Sequence, residues 1–320
     1  MEKKILIEVN DLSHSYGRHG GKSGKKVLDH ITFQVEKGRV IGLLGPSGAG
    51  KTTLVNILTN QLKPTGGTVK IAGEEKYGSG RREVRKREKQ GRAAEGKSSP
   101  AVRENALVTG IMMDSFGLYE RLTVWDNMKI FAKIYGVSEE RIKELLEKAE
   151  LKRAEKTMVN KLSKGMRNRV NFCRALLQKA DILCLDEPTS GLDPATTEKI
   201  HELIMEEKNA GTTVFLTTHN MHEAELLCDY ILLLNEGKIV EHGSPEEICR
   251  KYNSLNKIEI VLKNGEIHSI PNGKESAAVL AEWMDAEEIL SMHSSEPDLE
   301  KVFLLLTGRK LDGSEGNYES

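Results

Sequence analysis

The 320-residue sequence predicts an α/β fold, a parallel sheet with helices on both faces. Three observations carry that expectation. Short apolar runs bounded by glycine and proline alternate with amphipathic, helix-periodic stretches, the alternation from which parallel sheets are built. The run "GPSGAGKT" at 45–52 lies between one such strand and one such helix. Two further apolar runs, "ILCLDE" and "TVFLTTH", end in an acid pair and in a histidine, as strands do whose ends meet at one edge of a sheet.

The elements follow in order. Residues 5–9 and 31–35 read as strands of an early antiparallel layer, and 40–44 as a short, fully apolar strand. A helix is expected from Lys51 to about Asn60, after which Pro64 and the Gly66-Gly67 pair turn the chain into a strand at 68–71. Residues 124–135 and 139–149 are helix-periodic and form a helical subdomain, placed at about 120–180 with the helix that follows "LSKGM". Residues 182–185 form a second buried strand. A helix follows Pro194, which suits a first helical turn, and strands follow at 213–217 and 230–234.

After residue 252 the pattern restarts. Residues 257–262 and 267–270 flank Asn264-Gly265, a strong hairpin turn. A helix near 276–284, a strand near Ile289 and a helix at 299–307 complete a small appended α/β unit. The expected organisation is therefore a main domain at 1–252, an accessory unit at 253–310, and a flexible tail at 311–320. Two stretches carry too little apolar content to pack. Residues 17–26, "GRHGGKSGKK", read as a mobile loop. Residues 76–103 form a basic insertion, either a solvated excursion or a contact for anionic lipid or a partner's acidic face.

Composition narrows the function class. The chain is 38% hydrophobic and 30% charged, ordinary for a soluble globular protein. A net charge of −1 gives no whole-chain attraction to nucleic acid, and none is expected as a partner. No apolar run approaches the roughly 20 residues that span a bilayer, and the opening stretch "MEKKILIEVN" has too short an apolar run, and no small-residue cleavage site, to read as a signal peptide. If the protein serves a membrane, another chain does the spanning. The cysteines Cys173, Cys184, Cys228 and Cys249 are scattered, which argues against zinc and a disulfide framework and fits a reducing cytoplasm.

The chemistry sits in four places. "GPSGAGKT" matches GxxxxGK[ST] in the strand-to-helix context that the motif requires. Gly45, Pro46, Ser47, Gly48, Ala49 and Gly50 wrap phosphates with backbone N–H groups. Lys51 offers a charge to the β- and γ-phosphates, Thr52 a hydroxyl to Mg²⁺, and Thr53 reaches the α-phosphate. In "ILCLDEPTSGLD", Asp186 is placed to hold Mg²⁺, and Glu187 to orient and polarise an attacking water. His219, on its own strand end, is placed to contact the γ-phosphate or to serve a structural role. In "LSKGMRNRV", Ser163 and Gly165 open an arginine-rich helix, a second place that suits an anion.

Together these motifs resemble an ABC-type ATPase, the nucleotide-binding subunit of ABC transporters, over nearly the whole chain. "LSKGMRNRV" and the C-terminal "DLEKVFLLLTGR" are similar to the bacterial ABC-2-type exporter group. The resemblance implies a P-loop NTPase sheet with an antiparallel β layer, a helical subdomain and a C-terminal accessory domain. It implies ATP and Mg²⁺, two subunits that sandwich two ATPs, and a separate transmembrane permease. The partner ATPase would be a second copy or a different ATPase chain, at the inner face of the cell membrane. By the same resemblance Ser163, Lys164, Gly165 and Met166 address the nucleotide of the opposing subunit, and Asp193, in "SGLD", lies in the loop that crosses the interface. Tyr16 resembles the adenine-stacking aromatic, His219 the switch histidine, and Glu187 the catalytic glutamate. Counting back from "GLYERLTV", the Q-loop position, a metal contact, falls on Asp114.

The reading that follows is an ATP-hydrolysing subunit that drives export through a separate permease. The alternatives are a non-transport ABC ATPase of translation or chromosomes, or a nucleotide-dependent regulator. One cassette, the lack of a sustained heptad run, and the presence of Glu187 and His219 weigh against them.

Overall fold

The computed structural model describes residues 4–17, 24–77, 107–113, 117–253, 256–295 and 297–308. Most of the basic insertion, the tail, the middle of the 17–26 loop and Asp114 lie outside the described residues.

A six-stranded sheet organises the molecule, in the order β10 (Lys238–Gly243), β9 (Tyr230–Asn235), β3 (Val40–Leu44), β8 (Thr213–Thr217), β7 (Ile182–Asp186), β6 (Thr109–Met112). All neighbours are parallel except β10, which pairs antiparallel with β9. These strands are nearly continuous apolar runs because both faces are covered. Alternate residues enter two different cores: Val40 and Leu44 pack with the helices, whereas Ile41 and Leu43 pack with the antiparallel layer.

That layer is a four-stranded antiparallel sheet in the order β2 (Lys25–Glu36), β1 (Ile5–Tyr16), β4 (Gly66–Ile71), β5 (Glu74–Tyr77). It encloses α1 (Lys51–Leu58) against the central sheet through Leu54, Val55, Ile57 and Leu58. The strands extend past the apolar runs that announce them. Lys25 and Lys26, expected in a loop, pair with Tyr16 and Ser15, and Lys76 and Tyr77 belong to β5. Backbone pairing overrides the composition of these basic stretches, and Tyr77 is buried with its hydroxyl on Asn60 Oδ1 at 2.7 Å.

On the other face, α2 (Val124–Tyr135), α3 (Glu139–Lys148) and α4 (Lys164–Ala175) pack together. Helix α2 is capped by Thr123 and stopped by Gly136 in the left-handed region (φ 69°), where glycine carries no Cβ penalty. Helices α5 (Pro194–Asn209), α6 (Met221–Leu227) and α7 (Pro245–Lys251) complete this core.

A three-stranded antiparallel sheet follows, in the order β12 (Ile267–Pro271), β11 (Lys257–Leu262), β13 (Ile289–Ser294), with α8 (Ala277–Asp285). Within it Ile260 and Leu262 are buried, and no residue of α8 is. The final helix, α9 (Leu299–Thr307), leaves this sheet. Leu299, Val302 and Phe303 enter the main helical core beside α6 and α7, and the Leu299 amide donates to Glu225 Oε1 at 2.8 Å. So small a sheet offers too little apolar surface for this helix, and the large core offers more.

Candidate active site

Strands β3, β8 and β7 lie side by side, and their carboxyl ends deliver the three motifs to one edge of the sheet. After Leu44 the backbone reverses through 45–50. Gly45 has φ 153°, and a Cβ there would strike the Leu234 carbonyl. Gly50 has φ 109°, and a Cβ would meet Leu28 Cδ2 at 2.7 Å. No other residue type fits this cradle. Ala49 packs its methyl into the core, and Pro46, Ser47 and Gly48 form the rim.

Helix α1 begins at Lys51, and its N-terminus has no side-chain cap, so N–H groups of its first turn face the loop. Lys51 Nζ donates to the carbonyls of Gly45 (2.6 Å) and Pro46 (3.2 Å), curling the ammonium over the loop. Burial lowers its pKa, and Glu187 and Asp186 oppose that shift. The Thr52 side chain is exposed. Thr53 is buried, with Oγ1 3.3 Å from the Tyr16 hydroxyl. The Tyr16 ring is 46% exposed and stands edge-on to His14, with centroids 4.6 Å apart.

Asp186 ends β7 and accepts a short hydrogen bond from Thr217 Oγ1 of β8. Glu187 follows in the left-handed region at φ 50°, strained for a non-glycine residue. Its N–H donates to the Thr217 carbonyl at 3.0 Å. Its carboxylate Oε2 lies 2.6 Å from His219 Nδ1. Burial raises the Glu187 pKa and Asp186 adds to it, while His219 and Lys51 pull it down, with a net rise. The edge therefore holds a glycine-lined cradle with a cation, an acid, and a second acid poised to take a proton. Among the described residues no group of three or more His, Cys, Asp or Glu is placed to hold a metal alone. A divalent ion here would share its coordination with phosphate oxygens, and Thr52 and Asp186 are the oxygen donors beside the cradle.

The second anion-suited helix start sits against the loop after Glu187. Ser163 caps α4, its Oγ accepting from the Met166 amide at 3.2 Å. Lys164 is exposed, and Met166 packs against the helical core. A Cβ on Gly165 would lie 3.0 Å from both the Gly191 carbonyl and Leu192 Cδ2. Asp193 caps α5, with Oδ1 on the Thr196 amide (3.0 Å) and Oδ2 on its hydroxyl (2.7 Å).

The motifs do not announce two side chains that brace this loop. Asn168 of α4 donates to three of its carbonyls. Glu223 of α6, with a fully buried side chain, accepts from Thr189 Oγ1 (2.8 Å) and lies 2.9 Å from His201 Nε2. Burial pushes the Glu223 carboxyl up, but hydrogen bonds from His201, Thr218 and Thr189 outweigh it and hold the pKa low. An acid four residues beyond His219, on a helix face otherwise apolar, was the available signal.

The family model described as "ABC transporter" matches residues 28–190, about half the chain. The matched span contains the 45–52 loop, "LSKGM" and the Asp186-Glu187 pair. This chain belongs to the ABC transporter family. As such it is an ATP-binding subunit that hydrolyses ATP. It is 32% identical over 311 residues to a fluoroquinolone export ATP-binding protein of Mycobacterium tuberculosis, covering 96% of this chain and 94% of that one. It is 30% identical over 331 residues to a Nod factor export ATP-binding protein of Cupriavidus metallidurans, covering 96% and 98%. Among solved structures it is similar to a dimeric ATP-binding cassette in a post-hydrolysis state with ADP and Pi. That match has a TM-score of 0.61 and 26% identity, and covers 75% of this chain and 98% of the other. No helix among the described residues is long and apolar enough to cross a membrane.

Proposed function

We propose that this ABC ATPase powers export through a separate membrane permease, and that hydrolysis is carried out at the edge where β3, β7 and β8 end. The observation that carries the reading is the Glu187–His219 contact of 2.6 Å beside the Lys51 loop. Residues 45–53 bind the triphosphate, and Tyr16 stacks on the adenine. Thr52 and Asp186 hold Mg²⁺, which neutralises phosphate charge when bound; Asp114 is the further candidate ligand. Glu187 accepts a proton from the attacking water, and His219 orients Glu187 and the γ-phosphate. The raised Glu187 pKa makes its carboxylate a better base than an exposed one.

The export direction is supported by the two relatives described above, both export ATP-binding proteins. In this reading residues 1–252 are the ATPase unit and 253–310 an accessory unit. Two such units, from identical or different chains, close head to tail on two ATPs at the inner face of the membrane. The exposed start of α4, with Ser163, Lys164 and Gly165, and the 190–193 loop with Asp193 would then face the partner's nucleotide; Met166, which packs inward, anchors that start. Glu187→Gln tests the hydrolytic assignment. It should bind MgATP normally, hydrolyse it at least about a hundredfold more slowly, and accumulate as an ATP-bound dimer by size-exclusion chromatography. Turnover at the wild-type rate would remove Glu187 from the role of base.

A further inference from the structure

We infer that Asn168 is a positioning residue that ties the start of α4 to the backbone of Glu187, so that engagement of α4 by the opposing nucleotide sets the aim of this subunit's own carboxylate. The inference rests on the reading of Glu187 as the base and of α4 as the cross-subunit element.

Asn168 lies three residues beyond Gly165, so the two share one face of the helix. Both meet the same loop. Gly165 approaches Gly191 and Leu192, and Asn168 Nδ2 donates to the carbonyls of Glu187 (3.3 Å), Pro188 (3.1 Å) and Ser190 (3.4 Å). The surroundings fix the amide orientation: the flipped rotamer would set its oxygen against three carbonyl oxygens. Two N–H bonds shared among three acceptors are individually weak, but they converge on one turn of backbone.

That turn contains the strained residue. A left-handed glutamate costs on the order of 1 kcal/mol or more and persists only where its surroundings hold it. The Glu187 N–H is held by the Thr217 carbonyl of β8, and its C=O receives the Ser190 amide at 3.1 Å as well as Asn168. The peptide plane before Glu187 is thus tied to a fixed strand, and the plane after it to a helix whose N-terminus is exposed. A shift of α4 carries the Asn168 amide with it and tilts the second plane, which turns the direction of the Glu187 side chain relative to His219. Glu223, through Thr189, holds the middle of the same loop from α6 and gives the tilt a fixed pivot.

Side-chain chemistry at position 168 separates this role from simple packing. Asn168→Gln keeps an amide donor on a longer arm. Asn168→Ala removes the donor. Asn168→Asp keeps the shape and turns an acceptor toward three acceptors. We expect kcat in the order Asn, Gln, Ala, Asp, with Ala lower than wild type by about tenfold or more and KM for MgATP within about threefold, the signature of a contact that acts on the chemical step. Added to Glu187→Gln, the Ala change should leave ATP-driven dimerisation within about threefold of Glu187→Gln alone, assayed below each variant's melting midpoint.

A different kcat order among the folded variants would overturn the inference, and so would an Asn168→Ala enzyme with wild-type kcat. So would loss of dimerisation with Asn168→Ala, because the residue would then shape the interface rather than aim Glu187. An active Glu187→Gln would remove the underlying reading and this inference together. A dead Glu187→Gln beside a fully active Asn168→Ala would remove this inference alone.

Discussion

His219 Nδ1 lies 2.6 Å from Glu187 Oε2, although the two side chains are 65% and 28% exposed. A carboxylate only accepts, so Nδ1 carries the proton in this contact. The histidine thereby orients the glutamate and lowers a carboxyl pKa that burial raises.

The sign of the pH dependence follows. Glu187 works as a base only when ionised, so turnover rises with pH through its pKa. Burial places that rise above the ordinary carboxylate range. Removing His219 removes a group that lowers the pKa, so His219→Ala should move the acid limb of its residual kcat to higher pH. A carbon-13 titration of the Glu187 carboxyl, identified by its loss in Glu187→Gln, gives the same reading without turnover. A limb that stays in place or moves to lower pH would show that the contact does not tune the base. In stability terms the raised pKa favours the folded state at low pH, and that contribution is lost as pH rises from the ordinary carboxyl value through the folded one.

Lys51→Ala should weaken MgATP binding. The ammonium lies over the 45–50 loop, where it now spends its donors on the Gly45 and Pro46 carbonyls. Charge-assisted hydrogen bonds contribute about 1.5–3 kcal/mol each, which corresponds to a loss of roughly tenfold or more in affinity. Titration calorimetry with MgATP measures it directly, and an unchanged Kd would place the phosphates elsewhere.

Much of this was legible in the sequence, and the rest has physical reasons. Strands such as 213–217 and helices such as 124–135 announce themselves by period and by glycine or proline at their ends. The short strand β6 and the edge strand β10 do not, because four or six mixed residues carry little periodic signal. Lys51 was readable from the GxxxxGK[ST] spacing, and Asp186 and His219 because each stands at the end of an apolar run. Asn168 was not, since one amide in an arginine-rich helix has no period, and its partners are carbonyls twenty residues away. Glu187 was readable as an acid, but its left-handed backbone was not, because that conformation is imposed by β8 and α4.

The cysteines give a test of the core that does not involve nucleotide. Burial pushes the thiols of Cys173 and Cys184 up to about 12 and also raises Cys228, whereas Cys249 is only half-buried. The thiolate is the reactive form, so buried thiols react slowly. Native protein should therefore titrate one fast thiol with a disulfide dye, against four after denaturation. Two or more fast thiols in native protein would mean that the packing around α4, β7 or the start of β9 is open.

The last prediction concerns the start of α4. If Ser163 and Gly165 complete the neighbouring site, Gly165→Asp sets a carboxylate against the γ-phosphate of the opposing ATP, and like charges in a partly desolvated interface repel. Monomer binding of ATP should stay near normal while dimerisation and turnover fail. The structure adds a second effect, because a Cβ at 165 would lie 3.0 Å from the Gly191 carbonyl and from Leu192. Gly165→Ala carries that Cβ without the charge and isolates the steric part; it should lose less activity than Gly165→Asp. Mixing Gly165→Asp with Lys51→Ala then decides where the site lies. In a mixed dimer, one composite site carries both lesions and the other carries neither, so partial recovery of ATPase activity marks a site shared between subunits. Mixed dimers that form and never recover activity would count against sharing unless the two sites fire only together. That case is resolved by a dimer of one wild-type and one doubly substituted subunit: if the sites are shared, each carries one lesion and the dimer is inactive, coupled or not, whereas activity retained by this dimer would mean that the wild-type subunit holds an intact site of its own. Loss of ATP binding by the Gly165→Asp monomer itself would assign the α4 start to its own subunit's pocket.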